Sequence, residues 1–243
     1  MAQTAASSQP VIARVDASKT GPAISPYLYG QFVEHAGGLV YNTLWSEMLD
    51  DRKFFYPVGP APASAPETAR RGGGFFGRGV GPGRWNPIGP DGAVVMDARN
   101  PFVGDHSPEI KLAGSEPCGI RQTGLHFIQG HAYNGRVQLS GDPGAKVSVG
   151  IVYDADNGNA RQTVSLGKLS AGYRKFTFSF KAEKSGDAQL QIAGTGTGSF
   201  RVGAVSLMDA DNLDGFRPDA VAALKSLRFR RLSLAWRQLR FRV

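Results

Sequence analysis

The segment Tyr173–Ala182, YRKFTFSFKA, alternates polar and apolar side chains from Lys175 onward. A strand sends successive side chains to opposite faces, so Phe176, Phe178 and Phe180 share one face. Three phenylalanines in that register predict a core strand. Working outward, alternating or apolar runs recur at 93–97 (AVVMD), 119–128, 131–139, 146–153 (KVSVGIVY) and 161–166, then at 188–193 (AQLQIA) and 200–208 (FRVGAVSLM). Turn clusters separate them, among them Gly141-Asp142-Pro143-Gly144 and the DADNGN stretch at 154–159. Short strands at this spacing predict a mainly β, two-sheet sandwich over 93–209. A jelly roll is favoured over an immunoglobulin-like arrangement, because the Cys–Trp–Cys pattern of the latter is absent. With its own core, 93–209 is expected to fold independently.

Composition agrees and narrows the classes. A chain of 243 residues, 41% of them apolar, can bury a real core in one large domain or two modest ones. The 32 Gly and 15 Pro fit a turn-rich β protein. Cys118 stands alone in the chain, which excludes an intramolecular disulfide framework and a cysteine-based zinc cluster. No run approaches the ~18–20 apolar residues of a membrane span, so a membrane is not expected as partner. Residues 1–10 (MAQTAASSQP) read as a disordered start without the apolar core of a signal peptide. They resemble the small polar stretch that follows a cleavage site, so export is expected only if a leader precedes them.

The net charge of +8 raises a nucleic-acid reading, but its location argues against one. The last sixteen residues, Arg228–Val243, carry six Arg and no acid. Without them the chain holds 22 bases and 20 acids. A nucleic-acid protein spreads its basic footprint over a folded face, and a single basic terminus does not. Residues 230–243 therefore read as an aberrant basic tail.

On the N-terminal side, Val11–Asp16 (VIARVD) and Tyr27–His35 (YLYGQFVEH) read as strands. Leu44–Phe55 (LWSEMLDDRKFF) reads as a short helix with Leu44, Met48 and Phe55 on one side. Residues 59–92 hold ten Gly and six Pro and read as a linker without regular elements. Gly72-Gly73-Gly74 lacks the Lys-Ser/Thr and the flanking strand and helix of a phosphate loop. After the sandwich, Pro218–Leu227 (PDAVAALKSL) reads as a helix, with Pro218 in its first turn, Asp219 at its positive end, and Val221 and Leu224 on its apolar side.

Gly30–His35 (GQFVEH) and Leu44–Val58 resemble the opening of the family 51 glycoside hydrolases, the α-L-arabinofuranosidases. Ser206–Phe229 resembles the point where that family re-enters its catalytic barrel. Some members carry between these points a jelly-roll carbohydrate-binding module of the CenC type. The resemblance implies a sandwich inserted between fragments of an incomplete (β/α)8 barrel, with 11–58 holding the first barrel strand and helix and 210–229 a further barrel helix. The family acts by double displacement, which needs two carboxyl groups ~5–5.5 Å apart. Its two catalytic glutamates have no counterpart here, so no catalytic residue is assigned and the chain is expected to be inactive by itself. Glu34 matches the family glutamate that hydrogen-bonds arabinose without being catalytic. His35 either lines the same sugar pocket or orients Glu34. The family's next strand reads close to RWPGGNF; codons that encode Ser233–Val243 can be chosen so that the neighbouring frame reads RWPGGNFVSG, and the tail is accordingly read as a frameshift product.

The remaining polar groups carry blander readings. Glu47, Asp50 and Asp51 read as solvated charge on a helix face. Asp209, Asp211 and Asp214 read as turn and cap residues before the helix. Asp154, Asp156 and Asn157 fit either a structural calcium or an ordinary hairpin turn. His106, His126 and His131 lack metal-ligand spacing, and no cofactor or metal is expected. Tyr133 and Tyr153, near turns of the sandwich, are candidate platforms on which sugar rings could stack, with Trp85 a poorer one. The expected partner is an oligosaccharide or polysaccharide. The leading reading is a truncated arabinofuranosidase-like hydrolase of arabinose-containing plant polysaccharides; the alternative is a freestanding carbohydrate-binding protein.

Overall fold

A computed structural model describes residues 13–25, 31–33, 43–60, 73–74, 77–78, 83–154, 161–226, 232–234 and 237–239. Three short strands come first, β1 (Gln31–Val33), β2 (Gly73–Gly74) and β3 (Gly77–Arg78). Ten more follow: β4 (Trp85–Ile88), β5 (Val94–Asp97), β6 (Ser107–Lys111), β7 (Gly114–Phe127), β8 (Ala132–Gly141), β9 (Ala145–Tyr153), β10 (Arg161–Ser165), β11 (Arg174–Lys181), β12 (Gly186–Gly196) and β13 (Ser199–Asp209). Helix α1 (Pro218–Ser226), β14 (Leu232–Leu234) and β15 (Arg237–Leu239) close the series.

Strands β4 to β13 form two antiparallel five-stranded sheets, ordered β10-β9-β12-β7-β4 and β11-β8-β13-β6-β5. Between β7 and β13 the chain crosses repeatedly from one sheet to the other, as in a jelly roll. Their inner faces meet in one core. Phe178 and Phe180 are buried and Phe176 packs against them, as the alternation predicts. Ile110, Ile120, Phe127, Leu139, Ile151, Leu190, Ile192 and Phe200 complete its centre. Each such side chain contributes roughly 1.5–3 kcal/mol by leaving water.

Two strands of the sandwich arise where none is expected. β4 lies inside the Gly/Pro-rich stretch, and its Trp85 is buried, donating its indole N–H to the carbonyls of Asp50 and Asp51 at 3.2 and 3.3 Å. Pro87 is tolerated because β4 is the edge of its sheet. β6 contains Pro108, which pairs with Met96 on β5 alone, since β13 engages β6 only from Glu109 to Lys111. The β2–β3 ladder is a further regular element within 59–92. Ala13–Asp16, expected to be part of a strand, is exposed and in no strand.

The helix expected over Leu44–Phe55 is not present. Its backbone donors are engaged by distant partners and by nearby carboxylates. Ser46 N–H donates to the Gly215 carbonyl at 2.8 Å, and Met48 N–H to the Leu207 carbonyl at 2.9 Å. Leu49 N–H donates to the Glu47 carboxylate, and Asp50 N–H to the Gln122 side chain. Phe55 and Tyr56 N–H both donate to the Asp51 carboxylate, at 2.7 and 3.1 Å, around a turn with positive φ at Asp51 and Phe54. The segment is a strap: it runs beside the second half of β13 and reaches the opposite sheet through Gln122 and Trp85.

Glu47, expected in solvent, is 7% exposed. Its carboxylate accepts from the Ser206 hydroxyl at 2.7 Å and the Leu207 N–H at 2.9 Å, and it pairs with Arg52 at 3.0 Å. A buried carboxylate so satisfied fixes the strap on the sheet.

Contacts divide the chain into two units, 34–228 and a smaller one of 1–33 with 229–243. In the smaller unit β1 pairs in parallel with β14, Gln31 opposite Leu232, and β14 pairs antiparallel with β15. α1 takes up Pro218–Ser226 of the predicted Pro218–Leu227, Leu227 lying outside the described residues, and buries Val221. Among the described residues no helix is long and apolar enough to cross a membrane.

Candidate functional site

At one end of the sandwich lies a pocket of about 590 Å³. The strap, β13 and the turn before α1 build it together. Trp45 and Phe216 form an antiparallel bridge, and Arg217 N–H donates to the Leu44 carbonyl at 2.9 Å. The half-buried indole of Trp45 meets Phe216 edge to face, with centroids 5.4 Å apart. Gly215, at φ +91, lets the chain pass behind that ring; a Cβ there would stand 3.7 Å from it and need a strained backbone.

The polar wall follows. Asp209, half-buried at the end of β13, accepts weakly from the Ser46 hydroxyl at 3.4 Å. Burial, and then the neighbouring Asp211 charge, push its pKa up. Among the described residues neither Asp209 nor Asp211 forms an ion pair. Arg217 instead grips Asp219 through two bonds of 3.1 and 2.6 Å. His126, Ile128 and His131 line the opposite side, His126 with its Nδ1 2.9 Å from the Asp187 carboxylate.

Tyr133 reaches this pocket only with its polar tip. The ring is 2% exposed, edge to face with Phe127 at 4.9 Å, and its hydroxyl accepts the Ile128 N–H at 2.9 Å. Burial, with Asp209 and Asp211 nearby, raises its pKa. Tyr153 is likewise 3% exposed, and its hydroxyl donates to Gln162. Trp85 is in the core as well. A ring enclosed on both faces has none left for a sugar, so all three candidate platforms are core aromatics here. The alternation of their strands points them inward.

Trp45 lies in the segment whose spacing predicts a helix, and no local pattern marks it as a site residue. Asp209 and Asp211, read as turn residues, and His126 and His131, given no role, are brought together here. Asp214, at φ +53, keeps the turn role, beside Asn212, whose side chain accepts the Gly215 N–H. Glu34, His35, Asp156 and Asn157 lie outside the described residues. No group of three His, Cys, Asp or Glu able to hold a metal is found among the described residues.

Chemically, the pocket offers a half-exposed aromatic face, carboxylate acceptors, an imidazole and a guanidinium. Its size falls in the ~300–1,000 Å³ range of small-ligand sites.

No protein-family model matches the chain, and no curated protein matches it. Solved structures resemble the sandwich. One is a family 61 carbohydrate-binding module in complex with β-1,4-galactotriose, 14% identical over 51% of this chain and 88% of that one, TM-score 0.39. Another holds the family 22 module and hydrolase modules of a Clostridium thermocellum xylanase with xylohexaose, 14% identical over 52% of this chain and 26% of that one, TM-score 0.41. A third is the C-terminal family 22 module from the same organism, 13% identical over 68% and 98%, TM-score 0.44. The chain is a mainly β protein of two antiparallel sheets, a sandwich with a polar pocket at one end.

Proposed function

We propose that the chain is a carbohydrate-binding protein and that the end pocket takes the sugar. The observation that carries this is Trp45, a half-buried indole standing at a pocket ringed by hydrogen-bonding side chains. Sugar rings present apolar C–H faces to aromatics and hydroxyls to carboxylates and imidazoles, so this mixture matches their two-sided chemistry. Affinity electrophoresis in gels containing arabinan or xylan tests it: the chain is expected to be retarded and the Trp45→Ala variant to run freely. Equal mobility of the two proteins in every gel would remove the pocket from the function.

A second reading is favoured by one specific observation. β1, the strand of the GQFVEH motif, pairs in parallel with β14, which follows helix α1. A strand, an intervening helix and a parallel neighbouring strand are the repeating unit of a (β/α)8 barrel. This favours a hydrolase fragment of the arabinofuranosidase type, with Glu34 and His35 contacting the sugar; the frameshift reading of the basic tail belongs to the same proposal but draws no support from this pairing. That reading predicts no arabinose release from an aryl arabinofuranoside. It also predicts RWPGGNF and further barrel-like sequence in the neighbouring frame of the gene.

A further inference from the structure

The turn joining β7 to β8 separates two hollows. Ile128 and His131 line the end pocket, while Gln129 and Gly130, the residues between them, line a groove of about 770 Å³. The groove runs between β10 and β11, the outer strands of the two sheets.

Its walls are held in place. Gln162 on β10 donates to the Lys181 carbonyl on β11 at 2.8 Å. The same side chain accepts from the Tyr153 hydroxyl and the Glu183 N–H, each at 3.3 Å. The dividing turn is tied to β11 just as firmly: Gly130 N–H donates to the Ala182 carbonyl at 2.8 Å, and Ala182 N–H returns to the His131 carbonyl at 2.9 Å. Gly130 sits at φ +80, where a side chain would strain the turn. The cleft between the sheets is thus set before any ligand arrives, which lowers the ordering cost of binding.

Its lining differs from that of the pocket. Thr163 and Ser179 present hydroxyls beside the charged Arg161, Lys181 and Glu183, over a floor that includes Val164 and Phe180. The lining carries two cations and one carboxylate, and the Arg161 guanidinium is engaged by the Gln191 side chain at 3.0 Å, so the hydroxyls and the small net charge favour a polyhydroxylated ligand over a polyanion. Gln162 occupies the Lys181 carbonyl, so the β11 edge is closed there to an added peptide strand.

We propose that this groove is a second sugar subsite, next to the end pocket across the Ile128–His131 turn. The protein then grips an extended oligosaccharide and not a single terminal sugar. The proposal rests on the pocket being a sugar site.

Titration calorimetry of the full chain with α-1,5-arabino-oligosaccharides and β-1,4-xylo-oligosaccharides of two to eight residues tests it. For the ladder that binds, affinity is expected to rise about tenfold from the shortest to the longest member, as a linked second site adds to the first. The exposed pair Thr163→Ala with Lys181→Ala should abolish that rise and leave the disaccharide unchanged, with the melting temperature intact. Trp45→Ala should weaken every length. Disaccharide binding with no gain on lengthening would overturn the groove and leave the pocket standing. So would a groove variant that weakens all lengths equally. Failure of both ladders to bind would overturn pocket and groove together.

Discussion

The Gln122 side-chain amide brackets the backbone of Asp50: its Oε1 accepts the Asp50 N–H at 2.8 Å and its Nε2 donates to the Asp50 carbonyl at 2.9 Å. The amide does for the strap what a neighbouring strand does in a ladder. Gln122→Met keeps the length of the side chain and removes both bonds. The Asp50 carbonyl keeps the Trp85 indole N–H, so the loss should cost about 1–3 kcal/mol, read as a lower urea midpoint with an unchanged slope. An unaltered midpoint would show that the strap does not contribute to stability.

The strap and β4 change what counts as the folding unit. The stretch 93–209, expected from its strands to fold alone, lacks Trp85, Leu49 and Phe54, all of them core residues. Truncating a core aromatic alone costs about 3–5 kcal/mol. We expect 43–226 to melt cooperatively by circular dichroism and 93–209 not to. A sharp transition in the shorter piece would contradict this.

Trp45 is half-buried and outside the main core, so its truncation should spare the fold and injure binding. For Trp45→Ala the expected loss is about 2 kcal/mol of binding, roughly 30-fold in Kd for the polysaccharide retarded in gels, as for an aromatic anchor. The melting temperature serves as the control.

Asp97 lies at the end of β5, where its carboxylate accepts the Arg99 N–H and pairs with Arg201 at 2.7 Å. The Arg99 backbone bond first, then the Arg99 and Arg201 side chains, hold its pKa down to about 2. A carboxylate lowered on folding stabilises the fold fully above its ordinary value near 4. That contribution disappears as the pH falls towards 2. Stability measured across pH 2–5 should drop with acid in the native chain and drop less in Asp97→Asn. Parallel profiles would refute the role.

Asp209 has the opposite sign. Burial and Asp211 raise its pKa, so its charge opposes folding above the raised value and has no effect below its ordinary one. Asp209→Asn should therefore melt higher at pH 7 and match the native chain at pH 3. The same change should weaken sugar binding, because an acceptor is lost from the pocket.

Much of the sandwich was legible without coordinates. β7 to β13 follow from alternation because a strand's side-chain period is local, and Phe176, Phe178 and Phe180 announce their face with no knowledge of what covers it. α1 was legible for the same reason, through Pro218, Asp219 and Val221. Local chemistry misled where partners are distant. Leu44, Met48 and Phe55 have helical spacing, yet Gly215, Leu207 and Gln122, more than 70 residues away, take the backbone donors a helix would use. Pro87 and Pro108 hide β4 and β6, because a proline is forbidden only where a neighbour needs its missing N–H, and the neighbour is known only from the sheet order. The pocket was illegible altogether. Trp45, Ile128, Asp209 and Arg217 carry no signal in their spacing; they meet because the strap lies along β13 and the turn before α1 closes on it. Periodicity alone determined which residues make the sheets and which of their faces are buried. Tertiary structure decided which side chains surround an open space, since that depends on long-range pairings that no local pattern encodes.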